Sequence, residues 1–141
     1  MQLGRQPGGA PRVPPAEPDD GLRGLLTDAA RLCPEVVEAL VVDADGVLVA
    51  HVRPAAEPLR AEEIGVETQS ATPVLGRIAA TARLGGVTEW HVVGERGLLV
   101  VRRVPRMQLF VVLRVAPTGW LGRARFAARV TAGRLSERLA R

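Results

Sequence analysis

The chain has 141 residues, a length that suits one hydrophobic core and leaves little room for a second domain. It contains no apolar run of about 18 residues and no charged-then-apolar signal pattern at its N-terminus, so we expect no membrane span, no secretion and a cytoplasmic location. Hydrophobic residues make up 47% of the chain but aromatic residues only 3%, so the core must consist of Leu, Val, Ile and Ala. The single cysteine, Cys33, excludes an intrachain disulfide and a cysteine-based metal site.

Charge is distributed unevenly along the chain. All 19 basic residues are arginines. Residues 1–95 carry 8 Arg and 14 acidic residues, whereas residues 96–141 carry 11 Arg and a single acidic residue, Glu137, which gives the second segment a net charge of +10. Such asymmetry favours attraction to an acidic partner, a membrane surface or nucleic acid.

The N-terminal segment predicts a tail followed by a helix. Residues 1–18 are rich in Pro and Gly and lack apolar periodicity, so we expect a disordered tail and a folded domain over 19–141. Asp19 or Asp20 can cap a helix that runs from about 20 to 33, because a carboxylate accepts hydrogen bonds from free backbone N–H groups. Pro34 ends this helix.

The next segment predicts a hairpin and a long helix. Residues 36–43 and 47–53 are β-branched runs on either side of an Asp-Gly pair, which suits a tight hairpin. Over 59–84 the apolar residues recur at helical spacing and define a core face. Pro73 lies inside this segment and either kinks the helix or begins a second one; we favour the kink because the apolar phase continues across it. Gly85 and Gly86 are expected to end the helix. The predicted core face consists of Ile64, Ala71, Leu75, Ile78 and Ala82, with Thr68 among them.

The remaining segment predicts three strands, over 87–93, 98–104 and 108–115, and a final helix. This helix is amphipathic, with an apolar repeat on one side and arginines on another. The order is therefore α-β-β-α-β-β-β-α: an α/β (α+β) domain with a five-stranded antiparallel meander sheet, a long helix on one face and two terminal helices.

This order resembles the Roadblock family, which has a profilin-like fold and includes bacterial regulators of small GTPases. The resemblance covers about residues 20 to 135 and depends on the acidic hairpin VVDADGVLVA, the long helix before a Gly-Gly break, and the closing segment LFVVLRVAPTGWLGRAR. It implies a non-catalytic homodimer that docks a small Ras-like GTPase and acts as a GTPase-activating partner or scaffold, with no cofactor, metal or small-molecule substrate. Pro73 and the arginine-rich C-terminus depart from the usual pattern of the family.

Two other functions compete with this hypothesis. The segment that contains Asp43 and Asp45 is similar to the first motif of haloacid-dehalogenase phosphatases, but the chain has no lysine and no acidic residue after Glu95 except Glu137, so the partners of that chemistry are missing. The basic last helix permits nucleic-acid binding, although no known nucleic-acid-binding signature accompanies it. His51 and His91 fall short of a zinc site.

A second face of the long helix is the candidate protein interface. At 100° per residue its members lie away from the predicted core face, and nearly all are small. Glycine costs a helix about 1 kcal/mol relative to alanine, so glycines here indicate close approach of another backbone. The alternative is a face that meets only solvent. The candidate residues are Gly65, Gln69, Thr72, Gly76, Ala80 and Arg83.

Overall fold

A computed structural model of the chain describes residues 16–52 and 60–140. The element order predicted above is confirmed. The helices are α1 (Ala16–Leu32), α2 (Ala61–Thr81) and α3 (Leu121–Leu139), and the strands are β1 (Val36–Asp43), β2 (Leu48–Val52), β3 (Glu89–Gly94), β4 (Gly97–Arg103) and β5 (Leu109–Val115). Within this part of the chain, no helix has the length and apolar character needed to cross a membrane.

The five strands form one antiparallel sheet with the spatial order β2-β1-β5-β4-β3. The β3-β4-β5 meander joins the β1-β2 hairpin through pairing of β1 with β5, where Leu40 lies opposite Val112. Strands β2 and β3 are therefore the two edges of the sheet, and the connection that contains α2 carries the chain from one edge to the other.

Alternation along the strands supplies apolar side chains to both faces of the sheet, because successive residues of a strand point in opposite directions. Val41 and Leu113 are fully buried in the cluster under α1 and α3. Leu40 and Val112 are fully buried in the smaller cluster under α2. The domain therefore has three layers, with the terminal helices on one face and the long helix on the other.

The β1-β2 turn is organised by Asp43. One carboxylate oxygen of Asp43 accepts hydrogen bonds from the backbone N–H groups of Asp45 (2.8 Å) and Val47 (2.9 Å). Gly46 adopts φ +84°, which glycine tolerates without the steric cost that a side chain would add. The interpretation of this acidic pair as hairpin residues is confirmed, and the Asp43 carboxylate has a structural task.

Helix α1 begins earlier than predicted. It starts at Ala16, so Asp19 and Asp20 lie inside it rather than at its N-cap, and residues 16–18 are helical. Pro18 is compatible with this position because the first turn of a helix has no intrahelical partners for its N–H groups. Residues 1–15 of the predicted tail lie outside the described residues.

Helix α2 is a single element that continues through Pro73, so the proline does not split it. The helix ends at Thr81, before the Gly-Gly pair that was expected to end it. Arg83 takes the left-handed conformation (φ +60°), and the N–H of Leu84 reaches back to the carbonyl of Ala79 (2.8 Å). This is the hydrogen bonding of a Schellman-type helix end, with arginine where glycine is the usual residue.

The predicted core face of α2 is correct only in part. Thr68 is buried and Ile64 packs against the cluster under α2, but Ile78 has 59% of its surface exposed and Ala82 is exposed as well. The buried residues of the helix are Ala61, Gly65, Thr68 and Ala79, so Gly65 of the predicted interface is buried with Thr68 of the predicted core face. Small residues face the sheet because they permit close approach of the helix, which leaves the larger apolar residues at its side.

Candidate interaction surface

The largest group of exposed apolar side chains near one edge of the sheet belongs to α2, the segment after it, and β3. We call this group the α2-β3 surface. Its members are each about half exposed or more, and in a single chain they face solvent. They are Val74 (48% exposed), Ile78 (59%), Leu84 (73%) and Val92 (52%), together with Val93 (63%), which lies at the same edge but on the opposite face of β3.

Strand β3 gives the α2-β3 surface an unpaired backbone edge. It bonds to β4 on one side, and no described strand lies on its other side. His91, Val92 and Val93 are all exposed, so both faces of the strand are uncovered over this stretch. An uncovered edge strand with β-branched residues is a template for pairing with another strand.

An apolar groove lies between the C-terminal half of α2 and the start of β3. Leu75 and Ile78 of α2 form one wall, and Val87 and Trp90 form the other. Leu84 stands at the rim. Exposed apolar patches of this kind mark protein or membrane interaction sites and ligand-binding grooves.

The six residues predicted as the interface are not brought together on one exposed surface. Gly65 is buried, and a Cβ atom added to it would lie 2.5 Å from the carbonyl oxygen of Gly46 and 3.0 Å from Cγ1 of Val42. Its small size is therefore required inside the chain. Thr72 is half-buried and lines a pocket toward the sheet with Val101 and Phe110.

The other predicted residues are more accessible. Gly76 is half-buried, and a Cβ added to it would meet no atom within 4 Å, so no part of the described chain explains this glycine. Ala80 and Arg83 are exposed. Gln69 is half-buried, and its amide nitrogen is buried with no hydrogen-bond partner among the described residues. Gly76, Ala80 and Arg83 stay candidates for contact with a partner.

Ionisable groups inside the domain are held in structural pairs. Glu38 on β1 is 2% exposed and contacts Nε2 of His51 on β2 (2.6 Å) and Nε of Arg114 on β5 (3.1 Å). Across residues 16–52 and 60–140 there is no group of three His, Cys, Asp or Glu side chains that could hold a metal ion. Cys33 is fully buried, and burial raises the pKa of its thiol, which keeps it protonated and unreactive at neutral pH.

The side of the domain opposite α2 carries ion pairs and exposed arginines. The side chain of Glu89 on β3 is 7% exposed and binds Arg102 on β4 (3.2 Å) and Arg125 on α3, which attaches the last helix to the sheet. The outer side of α3 exposes Arg123, Arg129 and other arginines to solvent.

Two features of these surfaces escaped the sequence-based prediction. The adjacent Val92 and Val93 break the alternation expected of a strand with one solvated face, but the adjacent Val41 and Val42 of β1 do the same and are buried, so the pattern does not reveal an exposed edge. The exposure of Trp120 and Phe126 had no signal in the sequence either, because a helical repeat assigns residues only to a side of α3.

No protein-family description and no curated protein matches this chain. Among solved structures, the chain is similar to the gliding protein MglB of Thermus thermophilus, with a TM-score of 0.78 and 20% identity over 85% of this chain and 89% of that chain. A Roadblock/LC7 domain from Streptomyces avermitilis gives 0.73 and 12% over 84% and 98%. Profilin IB of Acanthamoeba castellanii gives 0.59 and 14% over 83% and 98%.

These similarities confirm the predicted fold class. At such identities they speak for the fold, and they transfer no individual residue from one chain to the other.

Proposed function

We propose that this chain, which has the fold of MglB and the Roadblock/LC7 domains, is a non-catalytic homodimeric binding module that docks and regulates a small Ras-like GTPase. The observation that carries the proposal is the α2-β3 surface: an unpaired edge strand beside an apolar groove, with exposed valines, isoleucine and leucine. Similarity to MglB and Roadblock domains supports a role in GTPase regulation.

The proposed dimer is inferred from the unpaired outer edge of β3. Antiparallel pairing of β3 with β3 of a second copy gives hydrogen-bond partners to the unpaired backbone N–H and C=O groups of both strands. It also extends the sheet to ten strands. The same pairing brings Val92 and Val93 of each copy beside the other, and it sets the two α2 helices next to each other on one face. Ile78 and Val74 then gain an apolar neighbour in place of water.

The GTPase is expected to dock across the paired α2 helices. The exposed acidic residues Glu62, Glu63 and Glu67 lie in the first half of α2, and the exposed Arg77 lies in the second half. A surface of this mixed charge suits specific polar contacts around an apolar centre. The module regulates by holding the GTPase in one conformation and supplies no catalytic residue.

The oligomeric state tests the first half of the proposal. Ile78→Asp places a charge in the dimer contact, so sedimentation velocity is expected to show a monomer where the parent chain is a dimer. Gly76→Leu is expected to overpack the same region and weaken the dimer. Val47→Asp is the matched control, because Val47 is 57% exposed but lies in the turn beside the opposite edge of the sheet. An unchanged dimer in both test variants would remove the α2-β3 surface from the interface.

Binding to a GTPase tests the second half. The small Ras-like GTPases of the same genome are the proteins to examine, each loaded with GDP or with a non-hydrolysable GTP analogue. We expect calorimetry to show preferential binding to one nucleotide state and weaker binding by the Ile78→Asp variant. Equal affinity for both states, or no binding to any Ras-like GTPase of the same genome, would contradict the proposal.

A further inference from the structure

Aromatic and basic residues alternate along the outer side of α3. Trp120, Arg123, Phe126 and Arg129 follow one another at intervals of three residues, and all four are exposed. Residues three apart on a helix are neighbours at its surface, so these side chains form one oblique row. We call it the Trp-Arg row. We infer that this row is a docking surface for an anionic lipid membrane.

The aromatic members of the row are notable because the chain has so few of them. Its aromatic residues are two Trp and two Phe. Trp90 and Phe110 pack against the apolar cluster under α2, whereas Trp120 is 75% exposed and Phe126 is 50% exposed. Both exposed rings belong to α3 and its N-cap. Tryptophan and phenylalanine on a helix surface are the side chains that enter the headgroup region of a bilayer.

The charge beside these rings lacks compensation. Arg123, Arg129 and Arg134 are exposed and form no ion pair with any residue that the structure describes. Arg125 differs, because it is bound to Glu89. Only one acidic residue, Glu137, lies in α3. Arginines around exposed aromatic rings attract anionic headgroups while the rings bury their apolar surface.

The shape of the row favours a lipid surface over a macromolecular partner of another class. The row crosses the outside of a helix, which is convex, and all four of its members are exposed. Arg123 and Arg129 lie about 60° to either side of Phe126 around the helix axis, so a planar membrane can contact these three side chains at once, with Trp120 preceding them at the N-terminal end of α3. Duplex nucleic acid would engage the arginines through its phosphates but would leave Trp120 and Phe126 in water.

Topology adds a second argument, which rests on the dimer proposed above. Antiparallel pairing of β3 with its own copy places the two-fold axis perpendicular to the sheet, so both α3 helices lie on the face opposite both α2 helices. The dimer thus presents two Trp-Arg rows to one plane. Two weak attachments to one surface reinforce each other, and the α2 face remains free for a GTPase.

Vesicle co-sedimentation tests the inference with the full chain. We expect binding to vesicles that contain phosphatidylglycerol, no binding to pure phosphatidylcholine vesicles, and weakening by added salt. Arg123→Gln with Arg129→Gln is expected to reduce the partition coefficient about 25-fold, since each surface arginine contributes about fivefold. Arg77→Gln with Arg96→Gln removes the same charge from exposed sites outside α3 and should bind as the parent does.

Tryptophan fluorescence reports on insertion of the row. Lipids with brominated acyl chains are expected to quench the parent protein, and Trp120→Ala, which keeps Trp90, should lose that quenching. Binding without a preference for anionic lipid, an unchanged partition in the double arginine variant, or binding of duplex DNA in place of vesicles would overturn the inference. The monomeric Ile78→Asp variant separates the two proposals. Vesicle binding by this variant, at lower avidity, would support the Trp-Arg row independently of the dimer. A parent dimer that binds the GTPase but does not bind vesicles would refute the Trp-Arg row and leave the proposed function intact.

Discussion

Two glycines of α2 look alike in the sequence and differ in the structure. An added Cβ at Gly65 would lie 2.5 Å from the Gly46 carbonyl oxygen, whereas one at Gly76 would meet nothing within 4 Å. We therefore expect Gly65→Ala to lower the free energy of unfolding by about 1–3 kcal/mol, the usual range for overpacking. Urea unfolding measures this effect.

Gly76→Ala is the natural comparison for that experiment. It fills open space in a helix and should stabilise the domain by up to about 1 kcal/mol through helix propensity. Equal effects of the two substitutions would contradict the close contact between α2 and the β1-β2 turn. Any part of the Gly76 effect that depends on protein concentration would come from the proposed dimer contact.

Arg83 occupies a backbone conformation that suits glycine. With φ +60° its Cβ is crowded by the backbone, at a cost of about 1–2 kcal/mol for an L-residue. Arg83→Gly should therefore raise the stability of the domain by about 1 kcal/mol, measured as an upward shift of the urea midpoint. Arg77→Gly is the contrasting change, because it introduces glycine inside α2 and should destabilise. If Arg83→Gly does not raise the stability, the contacts of the Arg83 side chain stabilise the domain by as much as its backbone strain destabilises it.

At the scale of elements, Glu89 attaches α3 to the β3-β4 edge. Its side chain is 7% exposed and lies between Arg102 and Arg125. Glu89→Gln should cost about 1–2 kcal/mol, since charged hydrogen bonds are lost but both arginines can reach water. Thermal unfolding would measure the loss. Glu63→Gln, which breaks an exposed pair with Arg60, should change stability by less than about 0.5 kcal/mol.

The strands and their order were predictable because their signals are local. The run from Val36 to Asp43 is rich in β-branched residues, and Gly46 marks its turn, so short-range rules suffice. The rotation of α2 was not predictable in this way. Its apolar repeat through Ile64, Leu75 and Ile78 indicated a core face, but Ile64 and Leu75 are half-buried and Ile78 is exposed, whereas the small Gly65 is buried. Helical periodicity identifies an apolar side without saying whether the chain itself or a partner covers it.

Charged contacts between strands that are distant in the sequence could not be predicted either. Glu38 and Arg114 are 76 residues apart and meet only because β1 and β5 are neighbours. In the sequence, Glu38 interrupts an apolar strand with no visible partner. An ion pair between such strands can be predicted only when the strand order of the sheet is known.

At the scale of the molecule, the start of α1 defines the minimal domain. Residues 1–15 are rich in Pro and Gly and offer few apolar groups to a core. A chain that begins at Ala16 is therefore expected to melt within a few degrees of the full chain in calorimetry. A fall in Tm of more than about 5 °C, equivalent to roughly 1 kcal/mol for a domain of this size, would show that the removed segment packs on the fold.

The position of β5 between β1 and β4 also sets the order in which the domain can form. Strand β1 finds β2 within a few residues, but its other neighbour lies beyond α2, β3 and β4. Non-local pairings of this kind slow folding, because a long segment must be ordered before the pairing stabilises it. During synthesis, β1 therefore keeps an open edge until Leu109–Val115 has left the ribosome. A chain that stalls before that point exposes a valine-rich strand whose unpaired edge favours aggregation.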